Sequence, residues 1–351
     1  MMHRNAWMGL VVLAAVAAAP AGPYAGPVGD VENPYDRGIP GWVGPAGDGV
    51  AHVEQWYPNP GQVLNDAFVG WATEVIAYLP GPAVDIGWDD PTFALGPATG
   101  FEYDVVSLGD LTAADIAAHL ADPDGAGVPH PGSITLAFDV TIADGPGPDL
   151  AAFENGFSRT GAPSFFAELA YVEVSTDGVV FARFPSRSLA PRPDGDTWGY
   201  IPIDVTDVYN LAGKHANAHG NCWGTPFDLA DLADDPAVAD GRVDLQAIHV
   251  VRIVDIPGSG DFVDATGAPI YDGWPTFGSG GFDLDAVGVL NTASVRPGDA
   301  DGDGDVDLDD FVILKQNFGT LNGASWREGD LDGDGDVDLD DFVILKQNFG
   351  T

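Results

Sequence analysis

Residues 299–310 read Asp299-Ala-Asp301-Gly-Asp303-Gly304-Asp305-Val306-Asp307-Leu-Asp-Asp310. A hard divalent cation takes six to eight oxygen ligands, and a twelve-residue loop supplies them from positions 1, 3, 5, 7, 9 and 12. Asp stands at positions 1, 3, 5, 9 and 12 of this stretch, and position 7 can ligate through its backbone carbonyl. Glycine at position 6 permits the sharp turn that brings these oxygens together. The stretch therefore predicts a calcium-binding loop.

The same loop is repeated 31 residues further on, at residues 330–341, and the units 298–320 and 329–351 differ only where Ala300 corresponds to Leu331. Each loop leads into an apolar pattern with i, i+3, i+7 spacing, which predicts a helix. One unit cannot bury this stripe alone, so we expect the two units to pack with approximate two-fold symmetry and Val306 to pair with Val337. Two Ca²⁺ ions are predicted, with ligands at Asp299, Asp301, Asp303, Asp305, Asp307, Asp310, Asp330, Asp332, Asp334, Asp336, Asp338 and Asp341.

The region from Pro297 to Thr351 resembles a type I dockerin, because each of two calcium loops is followed by one helix and neither has the leading helix of a full EF-hand. The resemblance implies docking to a cohesin on another protein, most often in polysaccharide-degrading systems. Dockerins often carry a Ser-Thr type pair at loop positions 10 and 11, where this chain has Leu308-Asp309 and Leu339-Asp340, followed by Lys315-Gln316 and Lys346-Gln347. Two interpretations stay open: a cohesin-like partner, or attachment to a cell-surface component.

The first 21 residues have the pattern of a secretory signal peptide. A basic start at Met1–Arg4 precedes an apolar run from Trp7 to Ala19, which is too short to span a hydrocarbon core of ~30 Å. Small residues place the cleavage after Ala21, with Ala25 as the alternative. No other apolar stretch of spanning length follows. We therefore expect a secreted protein, extracellular or at the cell surface, with no membrane span.

The composition narrows the classes of partner. The chain has 13 Lys+Arg against 54 Asp+Glu, a formal net charge of −41, which excludes nucleic acid as a partner and makes divalent cations natural counterions. The only cysteine is Cys222, so no intrachain disulfide can form and calcium is expected to supply cross-linking.

Residues 26–291 have the length of one domain, and its first part, up to about residue 104, is rich in Pro, Gly and Trp without clear periodicity. One helix is predicted from Thr112 to Leu120. Strand patterns follow, including a hairpin that turns at Asp177-Gly178 and an apolar, central strand at 247–256. The fold class predicted is mainly β: a jelly-roll β-sandwich, a linker at 292–297, and a small α-helical dockerin-like domain at 298–351.

A second resemblance covers about residues 105–291. The hairpin Val172–Phe181, the strand Val250–Val254 and the closing segment Phe282–Val287 resemble galactose-binding-like (discoidin-like) jelly rolls of bacterial cell-surface proteins. That family implies a sandwich that binds a ligand, often a sugar, and often carries one structural calcium. It does not imply catalysis.

Acidic residues of the predicted sandwich suggest one more Ca²⁺. Two of them lie at i, i+2 on one strand, hence on one face, and the others flank the turn Gly145–Pro148, whose carbonyls could also ligate. The alternative is that all of them are turn-forming or solvent-facing residues. The candidate ligands are Asp144, Asp149, Glu154, Asp283 and Asp285.

Aromatic and polar residues in Gly/Pro-rich segments suggest a glycan site, because sugars stack on aromatic faces and are oriented by hydrogen bonds. The alternative is that these aromatic residues only cap the ends of the sandwich. The candidates are Trp198, Tyr200, Lys214, His215, Trp223 and Trp274.

The sequence is compatible with three functions. The favoured one is a non-catalytic, secreted surface protein whose sandwich binds a ligand, with glycan as the expected class. The second is a glycoside hydrolase delivered by the same dockerin, which needs two carboxylates across the scissile bond. The sequence has no nucleophile elbow, P-loop or His-Glu-x-x-His motif, so no catalytic residue is assigned. The third is a purely structural envelope protein.

Overall fold

A computed structural model describes residues 22–24, 26, 43–44, 63–82, 84–157, 164–195, 199, 202–218, 223–293, 296–302 and 304–351. The predicted signal peptide, Cys222, Trp198, Tyr200 and Asp303 lie outside the described residues. Within those ranges, none of the helices combines the length and apolar character that a membrane crossing requires.

The body of the protein is built from strands, most of them short. In the described ranges they are β1 Val43–Gly44, β2 Val63–Leu64, β3 Gly70–Leu79, β4 Val106–Ser107, β5 Ser133–Ile142, β6 Leu150–Glu154, β7 Ser164–Phe165, β8 Ala170–Ser175, β9 Ala182–Arg183, β10 Arg187–Ser188, β11 Ile203–Asp204, β12 Val208–Tyr209, β13 Thr225–Phe227, β14 Ile248–Asp255, β15 Ser259–Val263, β16 Pro269–Tyr271 and β17 Asp283–Val289. The helices are α1 Ala113–Ala121, α2 Pro236–Ala239, α3 Leu308–Asn317 and α4 Leu339–Asn348.

The main sheet runs in the order β13-β6-β17-β3-β5-β14-β8-β9, with β4 also paired to β17, and its neighbouring strands are antiparallel. Its two halves are joined where β17 pairs with β3 over only two residue pairs, Gly288 with Trp71 and Val289 with Gly70. The sheet is curled, and residues of both halves belong to one core. The predicted mainly β fold with a small helical C-terminal region is confirmed, and its strands follow one continuous, curled path.

Several predicted elements are present, and one unpredicted strand is central. Helix α1 begins after Thr112, whose side chain forms a capping box with Asp115. Strand β14 pairs with β5 on one side and β8 on the other, as expected of a central strand. The predicted hairpin joins β8 to β9. In contrast, β3 lies in the middle of the sheet although its region shows no clear periodicity.

Truncating a side chain of the central strand tests the importance of this core. Ile253 of β14 is fully buried in the main core, so Ile253→Ala should lower the free energy of unfolding by about 2–5 kcal/mol. Ile86→Ala is the matched control, because Ile86 is 97% exposed and its truncation should change stability by about 0.5 kcal/mol or less. Urea unfolding in excess calcium measures both. Equal midpoints for the two variants would contradict the assignment of Ile253 to the core.

The C-terminal tail, residues 298–351, has its own small core. Its fully or nearly fully buried apolar residues come equally from the two repeats: Ala300, Val306, Leu314, Leu331, Val337 and Leu345. The predicted pairing of Val306 with Val337 is wrong. The backbone of Val306 exchanges hydrogen bonds with Gly350 and Thr351, and that of Val337 exchanges them with Gly319 and Thr320. Each loop therefore forms backbone hydrogen bonds with the C-terminal end of the other repeat. The two sets of bonds are equivalent, as expected of a two-fold arrangement.

The tail contacts the body through the connection between its repeats. Arg327 donates to Thr141 Oγ1 at 3.2 Å and to His249 Nδ1 of β14. Trp326 Nε1 donates to the carbonyl of Asp299 at 2.6 Å, which links this connection to the first loop. The first residues of α3 and α4 stay exposed in this arrangement, at 65% for Leu308 and 66% for Leu339.

Candidate calcium centres and buried acids

The first acidic loop is closed by the carboxylates at its two ends. Asp310 accepts from the backbone of Ala300 at 2.6 Å and of Asp301 at 3.2 Å with one oxygen, and from Asp307 at 2.8 Å with the other. Asp299 accepts from the backbone of Gly302 at 2.7 Å and of Gly304 at 3.0 Å. These bonds hold the carboxylate oxygens of positions 1 and 12 inside the loop.

The second loop repeats this geometry. Asp341 accepts from the backbone of Leu331 at 2.6 Å and of Asp338 at 2.7 Å, and Asp330 accepts from Gly333 at 2.8 Å and Gly335 at 2.9 Å. Position 12 has a further role in both loops, because Asp310 and Asp341 complete capping boxes at the starts of α3 and α4. Loop and helix therefore form one unit.

The carboxylates converge closely enough to share a cation. Four groups of three have one oxygen per residue within 4.8 Å of one another: Asp299, Asp301 and Asp310; Asp305, Asp307 and Asp310; Asp330, Asp332 and Asp334; Asp336, Asp338 and Asp341. All of these donors are oxygens, which suits Ca²⁺. Eleven of the twelve predicted ligands thus occur in such groups. Desolvation, followed by the charges of neighbouring carboxylates with Asp334 first, raises the pKa of Asp336.

Matching side chains of the two repeats form two exposed faces on the tail. Leu308 and Val312 are exposed on α3, and Leu339 and Val343 are exposed at the same positions of α4. Lysine and glutamine follow on both helices, at the positions noted in the sequence, and are also exposed. The tail therefore presents the same small apolar and basic surface twice.

The acidic residues predicted for the sandwich do not meet at one place. Asp144 and Asp149 lie within 4.8 Å of Asp228, a residue that the sequence reasoning missed because it is about 80 positions away. Asp149 is already held by three groups: the backbone of Gly145 at 2.8 Å, the backbone of Leu229 at 2.7 Å and Asn291 Nδ2 at 2.9 Å. Burial raises the pKa of Asp149 to about 6, and these hydrogen bonds act in the opposite direction.

The other three carboxylates lie at the far end of β6 and along β17. Glu154 accepts from the backbone of Gly156 at 2.7 Å, and Asp283 accepts from Ser107 Oγ and from Asn155 Nδ2. Asp285 instead accepts from the backbone of Thr99 and Gly100 and from Asn217 Nδ2 at 2.8 Å. Strand alternation alone would place Asp283 and Asp285 on one face, but their side chains have different partners. The register of β17 against β6 is irregular between Leu284 and Ala286. Burial raises the pKa of Asp283 to about 7 and of Asp285 to about 6.

Most of the predicted glycan residues in the described ranges are interior. Lys214 is fully buried and donates to the carbonyl of Val208 at 2.6 Å. His215 is buried beside Thr225 Oγ1 at 3.0 Å, and burial followed by the charge of Lys214 holds its pKa well below the usual range. Trp274 is buried and donates to the carbonyl of Leu111 at 2.8 Å, whereas Trp223 is half-buried. These side chains stabilise the body and do not form one exposed sugar-binding surface.

Comparison with known proteins identifies the tail alone. Residues 297–350 match the family model described as dockerin type I domain, which supports the predicted C-terminal dockerin. No curated protein and no solved structure matches the chain. The resemblance of the central region to galactose-binding-like domains therefore stays a prediction.

Proposed function

We propose that this protein is a secreted docking protein whose calcium-loaded dockerin attaches a non-catalytic β body to a cohesin-like partner outside the cell or at its surface. The observation that carries the proposal is the pair of repeated acidic loops, each continuous with a helix that presents the same exposed surface. Ca²⁺ bound by each loop would neutralise its carboxylates and fix the start of its helix. The two exposed faces would then be rigid enough to bind a partner.

Apolar residues at the exposed helix starts define the kind of partner. Leu308 and Leu339 stand where many dockerins carry a Ser-Thr type pair, so the partner needs an apolar patch opposite them. Lys315 and Lys346 lie further along the same helices and fit an acidic rim around that patch. A cohesin-like module with this combination is the partner that the tail fits best.

Replacing the exposed leucine at the start of each helix with a charged residue tests the docking surface. Leu308→Asp and Leu339→Asp together should weaken binding to a matching cohesin at least 100-fold, while each single change leaves the second face intact and costs about twofold. Leu321→Asp is the control, because Leu321 is exposed but lies outside both helices. Calorimetric titration against a panel of cohesin modules measures the effect. Wild-type affinity of the double variant would contradict this surface, and failure of every cohesin to bind the unaltered protein would favour attachment to another cell-surface component.

The body is proposed to act by binding or as structure, with a glycan as the expected class of ligand. Buried, hydrogen-bonded carboxylates such as Glu154, Asp283 and Asp285 favour this role over hydrolysis, which requires carboxyl groups that face a substrate cleft. A glycan array probed with the full chain tests ligand binding, and release of reducing sugar from polysaccharides tests the hydrolase alternative. Binding without sugar release supports the proposal, whereas sugar release contradicts it.

A further inference from the structure

A group of acids lies inside the body, outside the calcium loops of the tail. Its members, here called the buried carboxylate cluster, are 4% exposed or less: Asp110, Glu154, Glu168, Asp255 and Asp283. They come from five separate segments of the chain: Asp110 follows β4, Glu154 ends β6, Glu168 precedes β8, Asp255 ends β14 and Asp283 begins β17. Acids this deeply buried are rare in proteins unless a positive charge or a metal ion accompanies them.

One segment, residues 276–283, links four of these acids. Thr276 donates its backbone N–H to Asp110 Oδ2 at 2.9 Å and its hydroxyl to Glu168 Oε1 at 2.6 Å. Phe282 donates its backbone N–H to Asp255 Oδ1 at 2.8 Å, and Asp283 follows directly in the chain. The carboxylates are therefore held around a common segment by short bonds to fixed groups.

The fifth acid approaches the same place from the neighbouring strand. Glu154 is paired with Leu284 in the ladder between β6 and β17, next to Asp283. Burial is the main cause that raises the pKa of Glu154 and of Glu168. The negative charge of Asp283 is the next cause for both. The acids of the different segments are therefore close enough for their charges to act on one another.

Among the residues that the structure describes, three oxygens of the cluster have no hydrogen-bond partner. They are Asp110 Oδ1, Glu154 Oε1 and Asp255 Oδ2, and each is inaccessible to solvent. The second oxygen of each carboxylate accepts a backbone N–H, so the side chains are fixed and the orphan oxygens cannot turn outward. An acceptor that is buried without a donor is costly, and three in one group indicate a missing binding partner.

No basic side chain in the described part of the chain supplies that partner. The ion pairs there join Glu173 to Arg183 and Arg252, and Asp240 to Arg242, and none involves the cluster. The charges that act on Glu154, Glu168 and Asp255 are those of other carboxylates. Burial raises the pKa of Asp110 and Asp283 to about 7.

We propose that the buried carboxylate cluster binds one Ca²⁺ ion, in addition to the ions of the tail. The donors are carboxylates with the hydroxyls of Ser107 and Thr276 beside them, and neither cysteine nor histidine belongs to the group, so the site selects a hard cation that prefers oxygen. No three of these carboxylates have oxygens within 4.8 Å of one another in the described ranges, so hydroxyl or backbone oxygens complete the coordination. The ion would cross-link at least two of these chain segments in a protein that has no intrachain disulfide.

Counting ions in the full-length protein tests this site. Native mass spectrometry at saturating CaCl₂ should find three ions bound per chain, two from the tail and one from the cluster. Asp255→Asn and Asp110→Asn should each leave two ions and weaken the third site at least tenfold. Asp124→Asn, at an exposed position, is the matched control and should leave three. A count of two for the unaltered chain, or of three for both cluster variants, would overturn the proposal.

The body contains a second acidic group, and one more variant distinguishes it from the buried carboxylate cluster as the site of the third ion. Asp228→Asn alters the group of Asp144, Asp149 and Asp228 and should leave three ions bound. Loss of one ion in that variant, with three retained in Asp255→Asn, would place the ion there instead and overturn the proposal. If the cluster variants do not fold, the melting temperature of the body in the unaltered full-length chain is compared in calcium and in chelator. We expect calcium to raise it by several degrees, and an unchanged transition would argue against a bound ion.

Discussion

Chelation of calcium from the full-length protein is expected to unfold the tail while the sheet of the body stays folded. Each acidic loop brings three carboxylate oxygens within 4.8 Å of one another more than once. Two like charges at 4 Å repel by about 1 kcal/mol in water and by about 4 kcal/mol at an effective dielectric constant of 20. Several such pairs per loop exceed what the small tail core can offset, with its six buried apolar residues and six partly buried ones packed against them.

Unfolding of the tail should be visible as a drop in the helical circular dichroism signal from α3 and α4. Asp310 and Asp341 cap these helices, so the geometry of each loop is coupled to the start of its helix. Amide spectra should show tail resonances collapsing to unfolded positions while those of the body sheet stay dispersed. Recovery should occur at the ~10⁻⁴–10⁻³ M calcium typical of weak extracellular modules. Chelator already saturated with calcium is the control for ionic strength. A helical signal that is the same in both solutions would refute calcium-dependent folding.

The tail was predictable from the sequence because its ligands are local. Twelve consecutive residues contain the donors, the turn and the first helical cap, so spacing alone carries the information. The pairing of Val306 was not predictable, since two symmetric partners were available and the choice depends on how the repeats pack. It bonds to the end of the second repeat, Gly350 and Thr351.

The acids of the body show the limit of such reasoning. The donors to Asp285 include the backbone N–H groups of Thr99 and Gly100, about 185 positions away, and Glu168 accepts from the hydroxyl of Thr276, 108 positions away. No spacing rule connects such residues, because the curled sheet brings their segments together. Strand β3 was missed for a related reason: its burial alternates irregularly, as expected where the register shifts twice against β5.

Replacing the last ligand of one loop is expected to damage both loops. Asp310→Ala removes a calcium ligand and the acceptor of three backbone N–H groups, from Ala300, Asp301 and Asp307. Hydrogen bonds to a charged group are worth about 1.5–3 kcal/mol each, and every 1.4 kcal/mol is a tenfold change in affinity. We therefore expect the first loop to bind calcium at least 100-fold more weakly.

The second loop should weaken as well, by about tenfold, although none of its own residues changes. Val306 of the first loop holds Gly350 and Thr351 at the end of the second repeat, and Val337 holds Gly319 and Thr320 in return. The two repeats also share one apolar core. When one loop opens, the other therefore loses backbone partners and packing surface, so the tail should behave as a single cooperative unit.

The near identity of the repeats makes this coupling measurable by symmetry. Asp341→Ala should produce the mirror result, with the second loop lost and the first weakened, because Asp341 has the same bonds in its own repeat. Asp309→Ala is the control. Asp309 is exposed, so this substitution removes one negative charge without opening the loop. Calorimetric calcium titration of the full chain resolves the two sites. If either variant leaves the other loop at its original affinity, and the two loops melt independently, the exchange of chain ends between the repeats does not couple them.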